Sequence, residues 1–173
     1  MKRYIDIKMK DDDFKIMGMV YSRLHFTLHD MSTNKIGVSF PNATAKCIGT
    51  TIRLQSEDES ALNAFYGSGF VELASRYCDI TPILDIPDNV KYGLVKPFRN
   101  KKSHCHVKRL IRRGANPDEL RVQYGTKPHL RVFSASQQRY STREFNIEEV
   151  DGDYVSGDFN SFGLSKGGMV ALF

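Results

Sequence analysis

Two histidines, His25 and His29, are spaced so that they could take part in chemistry. An imidazole titrates near neutral pH, so His25 could act as a general base or acid. Histidines four residues apart on a helix can also bind zinc, with His104, Cys105 and His106 as further candidate ligands, although the glutamate of the zinc-protease motif is missing. A partly buried histidine with a backbone partner is the third interpretation. The spacing alone does not choose among the three.

Two serines, Ser134 and Ser136, lie two residues apart in a predicted strand and therefore share one of its faces. A hydroxyl both donates and accepts hydrogen bonds, so either serine could position a reacting 2′-hydroxyl or a phosphate. Most serines in strands do neither, and ordinary polar residues are the alternative.

The basic residues of the chain are concentrated in one segment. The formal net charge is only +5, but the segment from Lys91 to Arg113 holds nine lysines and arginines and no acidic residue, which leaves −4 for the rest. This distribution is typical of a localised site for a polyanion rather than of a generally adhesive surface. A solvated basic face is the alternative.

Part of this basic segment has the pattern of a helix, from about residue 103 to 113, with Ser103 as its cap and Gly114 at its end. Arginine donates planar, bidentate hydrogen bonds, so a helix face rich in arginine suits a nucleic-acid groove or its phosphates. An apolar stripe and a cationic face would lie on opposite sides of this helix: Val107, Leu110 and Ile111 against Lys108, Arg109, Arg112 and Arg113.

A glycine-rich run, GLSKGG at 163–168, places three glycines around Lys166. Glycine permits unusual backbone angles, so main-chain N–H groups of this run could approach an anion. The order of residues is not that of a P-loop, and a plain turn between strands is the alternative.

The elements that must position these residues follow from the hydrophobic pattern, which predicts an α+β protein. The predicted order up to residue 92 is strand, helix, strand, strand, helix, strand, as in the ferredoxin-like fold. We therefore expect a ferredoxin-like domain at 1–92 and a smaller α+β domain with the arginine-rich helix at 93–173. The predicted elements are strands at 5–9, 36–40, 51–54, 80–86, 130–137, 143–147 and 159–162, a helix at 14–31, and a helix that follows a capping box of Ser56 and Glu59 and ends at Gly67.

The composition of the 173 residues fits a folded protein, with 40% hydrophobic and 26% charged residues. No apolar run approaches the roughly 18 residues of a membrane-spanning helix, and the N-terminal residues lack the apolar centre of a signal peptide. The three cysteines are odd in number and lack CxxC spacing. We expect a cytoplasmic protein with reduced thiols and no membrane partner.

Four short motifs occur in a characteristic order: YIDI at 4–7, LH at 24–25, IGVSFP at 36–41 and GLSKGG at 163–168. Together they strongly resemble the CRISPR repeat-processing endoribonucleases of type I-F (Ypest subtype) systems. The resemblance spans nearly the whole chain and is most specific at IGVSFP and GLSKGG.

The resemblance implies a ferredoxin-like N-terminal domain and a second domain whose arginine-rich helix docks in the major groove of the CRISPR repeat hairpin. It also implies cleavage at the 3′ base of the stem, without a metal or other cofactor, to leave a 2′,3′-cyclic phosphate. The enzyme would then keep the mature crRNA and join the other subunits of the type I-F surveillance complex.

The site residues implied by the resemblance are specific. His25 matches the family's catalytic histidine, and Ser134 and Ser136 match its serine pair, with Ser134 as the critical member. Arg109 and Arg113 match groove-binding arginines. The full set of expected RNA-binding residues is Arg99, Asn100, Lys101, Lys102, Lys108, Arg109, Arg112, Arg113, Tyr140, Phe162 and Lys166.

One position departs from the family, and the residue that caps the stem is not assigned to a single position. Phe162 stands where a family member has a tyrosine, so any function of that hydroxyl is lost. The aromatic that caps the base of the stem is either Tyr140 or Phe145.

Two other functions of the chain also remain open: a non-catalytic RNA-hairpin-binding subunit with a structural His25, and a metal-dependent nuclease.

Overall fold

The computed structural model describes residues 1–99, 104–120, 127–134 and 138–173. The first half of the chain folds into the predicted order of strands and helices. Its elements are β1 (Arg3–Met9), α1 (Phe14–Asp30), β2 (Gly37–Ser39), β3 (Thr51–Ser56), α2 (Glu59–Tyr66), α3 (Phe70–Ala74), β4 (Cys78–Ile80) and β5 (Leu84–Asp85).

The first sheet confirms the ferredoxin-like prediction. Its strands are ordered β2-β3-β1-β4, every pairing is antiparallel, and β5 also pairs with β1. The segment predicted as one strand near 80–86 is therefore two short strands, β4 and β5, which pair with different parts of β1.

The second sheet is formed by the rest of the chain. Its strands are ordered β7-β8-β6-β9, and all pairs are antiparallel. The elements of this half of the chain are β6 (Lys91–Phe98), α4 (His104–Arg112), a short 3₁₀ helix (Pro117–Glu119), β7 (His129–Ser134), β8 (Arg139–Val150) and β9 (Val170–Leu172).

Two further local predictions are wrong. The capping box fails because Ser56 ends β3 and donates its hydroxyl to the Lys35 carbonyl, whereas Asp58 caps α2. The segment predicted as a strand at 159–162 is a loop, which forms an isolated bridge between Phe159 and Ser165. The last strand is β9 instead, which pairs with β6.

The two sheets share one apolar core, and α1 lies against both of them. Tyr21 of α1 is fully buried between Phe40, which follows β2, and Phe145 of β8, with ring centroids 5.9 and 5.8 Å apart. Because these three rings come from both halves of the chain, they fix the second sheet against the helix that carries His25.

Two further expectations concern the cysteines and membrane-spanning helices. All three cysteines are free thiols, as the sequence predicted. Among the helices in the described ranges, none has the length and apolar character that crossing a bilayer requires.

Candidate functional site

Helix α1 and strand β7 run side by side, and one face of the helix forms the contact. A Cβ atom at Gly18 would lie 1.9 Å from the Arg131 carbonyl oxygen, so only glycine allows this approach. One turn further on, the backbone N–H of Phe133 donates to the Ser22 hydroxyl at 3.1 Å. His25 follows at the next position of the same helix face, seven residues after Gly18.

This alignment directs β7 along α1 towards the turn that holds His25. Four helical residues rise about 6 Å and two strand residues about 6.6 Å, so the two elements advance at nearly the same rate. The contacts from Arg131 to Gly18 and from Phe133 to Ser22 follow this register, and Ser134 is the next and last residue of β7. Ser134 also shares a strand face with Leu130 and Val132, which are buried.

The imidazole of His25 has a defined tautomer. Its Nδ1 atom lies 2.9 Å from the carbonyl oxygen of Ser161. A carbonyl can only accept, so Nδ1 carries the proton of the neutral ring and Nε2 presents a lone pair. A neutral imidazole with a free lone pair is the form that a general base requires.

The surroundings of His25 also favour the neutral form. Partial burial lowers the pKa of His25 below its ordinary value, and the nearby charges of Arg143 and His29 lower it further. The hydrogen bond to Ser161 acts in the opposite direction but does not reverse the shift. His25 is therefore available as a base at neutral pH.

Phe162 fixes the plane of the imidazole. The two rings are stacked, with centroids 3.4 Å apart and planes inclined by 12°. The guanidinium of Arg143 lies 4.0 Å from the centroid of Phe162. Because His25 already covers one face of Phe162, Arg143 occupies the other face. Phe162 can therefore offer RNA only its edge, and Arg143 is a site residue that the sequence reasoning missed.

The loop that presents Ser161 and Phe162 is held by internal hydrogen bonds. The Asn160 side chain accepts from the N–H groups of Phe162 and Leu164. Gly163 has φ of +70°, and its carbonyl accepts from Val38 of β2 at 2.8 Å. The buried hydroxyl of Tyr21, whose pKa is raised by burial, donates to the Phe162 carbonyl at 3.1 Å.

The anion-binding interpretation of GLSKGG is wrong for most of its N–H groups, because they bond within the fold. Gly163 donates to the Asn160 carbonyl, Ser165 to the Val95 carbonyl, and both Lys166 and Gly168 to the Asp158 carbonyl. The motif therefore builds a fixed loop beside His25. The Lys166 side chain remains exposed.

Helix α4 presents the predicted cationic face. Val107 is buried and Leu110 is partly buried, but Ile111 is 39% exposed, so the apolar stripe is narrower than predicted. Arg109 donates to Nδ1 of His106 at 2.8 Å. In the described part of the chain no carboxylate pairs with the four exposed cations Lys108, Arg109, Arg112 and Arg113.

The two candidate stem-capping aromatics differ in accessibility. Phe145 is 0% exposed in the core, whereas Tyr140 on β8 is 60% exposed. Tyr140 packs edge-on against Phe133, and the Arg131 guanidinium lies 5.5 Å from its ring centroid. Only Tyr140 is therefore available to stack on a base.

Comparison with known proteins decides the family. The model of the CRISPR-associated protein family Cas_Csy4 matches residues 4–173 of the chain. The chain belongs to the Cas_Csy4 family. The match confirms the resemblance that the four sequence motifs indicated.

Two curated relatives are similar over the full length of both chains. One, from Escherichia coli (strain UTI89 / UPEC), is 24% identical over 186 residues. The other, from Pseudomonas aeruginosa (strain UCBPP-PA14), is 25% identical over 200 residues. Both carry the name CRISPR-associated endonuclease Cas6/Csy4.

The remaining predicted site residues of this Cas_Csy4 chain are placed as follows. Arg99 is exposed directly after β6. His29 lies one turn beyond His25, with ring centroids 6.3 Å apart, and its Nδ1 is 3.6 Å from the Asp30 carboxylate. In the ranges that the structure describes, no group of three or more His, Cys, Asp or Glu side chains could hold a metal ion. Asn100, Lys101, Lys102 and Ser136 lie outside the described residues.

Proposed function

We propose that this chain is a CRISPR endoribonuclease that cuts precursor RNA at the 3′ base of each repeat hairpin without a metal ion. The observation that carries the proposal is the arrangement of His25, whose Nδ1 is committed to Ser161 and whose Nε2 presents its lone pair. The names of the two full-length relatives support endonuclease activity.

The nucleophile of the proposed reaction belongs to the RNA. His25 takes the proton of the 2′-hydroxyl next to the scissile phosphate, and the Ser134 hydroxyl holds the 2′-oxygen in line with phosphorus. A 2′-oxygen–phosphorus bond forms, the bond to the 5′-oxygen breaks, and the departing oxygen takes a proton from water. The upstream product ends in a 2′,3′-cyclic phosphate. Since no water attacks, the reaction needs no metal-bound hydroxide.

The cationic face of α4 binds the RNA. This face comprises Lys108, Arg109, Arg112 and Arg113. The major groove of an A-form helix is too narrow for side chains unless it is entered near an open end. Binding at the end of a short stem therefore agrees with cleavage at the stem base. Ser136 is proposed as the second serine of the active site. Further contacts with the RNA are proposed for Arg99, Asn100, Lys101, Lys102, Tyr140 and Lys166, with Tyr140 stacked on the last base pair.

The family resemblance extends the proposal beyond cleavage. The chain would stay bound to the mature crRNA as a subunit of the type I-F surveillance complex, in the cytoplasm. Its organisation into an RNA-contacting part at 93–173 and a ferredoxin-like part at 1–92 is part of the same proposal.

Cleavage of the cognate repeat RNA in excess EDTA tests the proposal. We expect the wild-type chain to cut the RNA, and the variant His25→Ala to bind it equally well without cutting. The matched control is His29→Ala, one turn away, which should cut at the wild-type rate at pH 8. Intact RNA with the wild-type chain would indicate a binding subunit, and cleavage that EDTA abolishes would indicate a metal-dependent nuclease.

A further inference from the structure

Arg143 carries a charge that nothing in the described part of the chain neutralises. No carboxylate there forms an ion pair with it, and its Nε atom is buried without a hydrogen-bond partner. A partly buried, unpaired guanidinium is costly, because it loses hydration and gains no opposite charge in return.

Arg53 of the same chain provides a comparison, because its guanidinium is paired within the fold. It also lies against aromatic rings, Tyr4 and Phe173. Its Nε and Nη2 atoms, however, donate to the two oxygens of Asp6 at 2.6 and 2.9 Å, and its Nη1 donates to the Phe173 carbonyl. The charge of Arg53 is paired within the fold, whereas no group in the described ranges pairs with that of Arg143.

The position of Arg143 places its charge at the candidate active site. It stacks on the face of Phe162 opposite His25, and it is close enough to His25 to influence the imidazole electrostatically. Along β8 it pairs with Leu130 of β7, so it stands on the same face of this hairpin as Ser134. The adjacent acid, Glu144, lies on the other face of β8.

We propose that Arg143 is a further catalytic residue, whose guanidinium binds a non-bridging oxygen of the scissile phosphate. This inference rests on the proposed function. When the 2′-oxygen attacks, the phosphate gains negative charge as it becomes five-coordinate. A cation that is already held in place stabilises that charge without having to reorganise. The phosphate of the RNA in turn supplies the anion that Arg143 lacks among the described residues.

The test is single-turnover cleavage at pH 8 in EDTA, where the ordinary pKa of histidine leaves His25 neutral in every variant. We expect Arg143→Met to slow cleavage by about a hundredfold or more while repeat-RNA affinity changes much less. Arg143→Lys, which keeps the charge, should retain more of the rate. Arg76→Met, at an exposed arginine between α3 and β4, is the matched control and should cut at the wild-type rate.

A second measurement uses RNA with sulfur in place of one non-bridging oxygen of the scissile phosphate. We expect the wild-type chain to cleave one of the two stereoisomers more slowly than the unmodified RNA. This difference in cleavage rate should be smaller for Arg143→Met. If thermal melting shows that Arg143→Met does not fold, Arg143→Gln, which also removes the charge, replaces it in this comparison. A wild-type rate and an unchanged sulfur effect in the folded variant would overturn the inference.

Wild type and His25→Ala separate the two proposals. If wild type cuts and His25→Ala does not, a fully active Arg143→Met overturns only the function assigned to Arg143. If wild type leaves the RNA intact, or His25→Ala cuts as fast as wild type, the proposed function fails and the inference fails with it. Weaker RNA affinity with an unchanged rate at saturation would also overturn a catalytic function for Arg143.

Discussion

The imidazole of His25 lies flat against the ring of Phe162, with 3.4 Å between the ring centroids. The stack restrains the plane of the imidazole, and the hydrogen bond to the Ser161 carbonyl fixes its rotation within that plane. Both restraints come from one loop, so the imidazole is held in a defined orientation by the protein alone. Such positioning can supply a large part of a rate enhancement.

Phe162→Leu should therefore impair cleavage without impairing binding. Leucine keeps an apolar side chain but cannot stack on His25, and misplacing a reacting group by about 1 Å can cost roughly a hundredfold in rate. Phe162→Tyr keeps the ring and serves as the matched control, with a rate near that of wild type. Single-turnover rates and RNA affinity are the measurements. Equal rates for Phe162→Leu and wild type would show that the stack does not position the base.

The pH dependence of cleavage should reflect the lowered pKa of His25. Because burial and the charges of Arg143 and His29 oppose protonation, the imidazole stays neutral until the pH falls below about 6.5, the ordinary value for histidine. Cleavage should be constant above this pH and decline below it, as the base becomes protonated.

The measurement is the single-turnover rate at protein concentrations below the RNA dissociation constant, where the profile reports the free protein. An NMR titration of the His25 ring provides an independent value, with His25→Asn to assign the signal. A midpoint above the ordinary value in both experiments would contradict the environment described for His25.

Gly18→Ala should disturb the contact between α1 and β7. The added methyl group would meet the Arg131 carbonyl oxygen at 1.9 Å, so the helix and strand must separate. Overpacking of this kind typically costs about 1–3 kcal/mol of stability. The same separation moves His25 on α1 away from β7, the strand that carries Ser134, so the cleavage rate should fall as well.

Gly67→Ala is the matched control, since φ there is −80° and a Cβ atom would meet nothing closer than 3.7 Å. Urea unfolding and single-turnover cleavage are compared for both variants. Wild-type stability and rate in Gly18→Ala would show that the close approach of helix and strand is not required.

Replacing Arg109 and Arg113 together by alanine should weaken RNA binding and its dependence on salt. Removing one cation that binds a phosphate reduces the slope of log affinity against log salt by about 1, so the slope of the double variant should fall by about 2. The control pair is Lys46→Ala with Arg76→Ala, which removes two exposed cations outside the basic segment. Unchanged affinity of the Arg109 and Arg113 double variant at physiological ionic strength would contradict the proposed function of α4.

Local patterns predicted much of the fold but little of what surrounds His25. The alternation in β1 and the helical spacing in α1 follow from burial on one face, which a sequence records directly. The partners of His25 are Ser161 and Phe162, which lie 136 and 137 positions along the chain. Only the tertiary fold brings such residues together, and no periodicity encodes it.

The errors have the same cause. GLSKGG has the composition of an anion-binding loop, but most of its N–H groups donate to acceptors at Asp158, Asn160 and Val95, and Val95 lies in β6. Arg143 carries no local signal, because it is one polar residue in a strand of mixed residues. Its significance follows from the ring on which it stacks and from the absence of a paired acid in the described residues.

In the proposed reaction the RNA's own 2′-hydroxyl attacks the scissile phosphate, with His25 as its base. A repeat hairpin with a single 2′-deoxy sugar immediately upstream of that phosphate, incubated with the wild-type chain in EDTA, tests this step. We expect full binding and no cleavage, while the unmodified RNA is cut and its upstream product ends in a 2′,3′-cyclic phosphate. Cleavage of the deoxy substrate at the normal rate would contradict the proposed reaction.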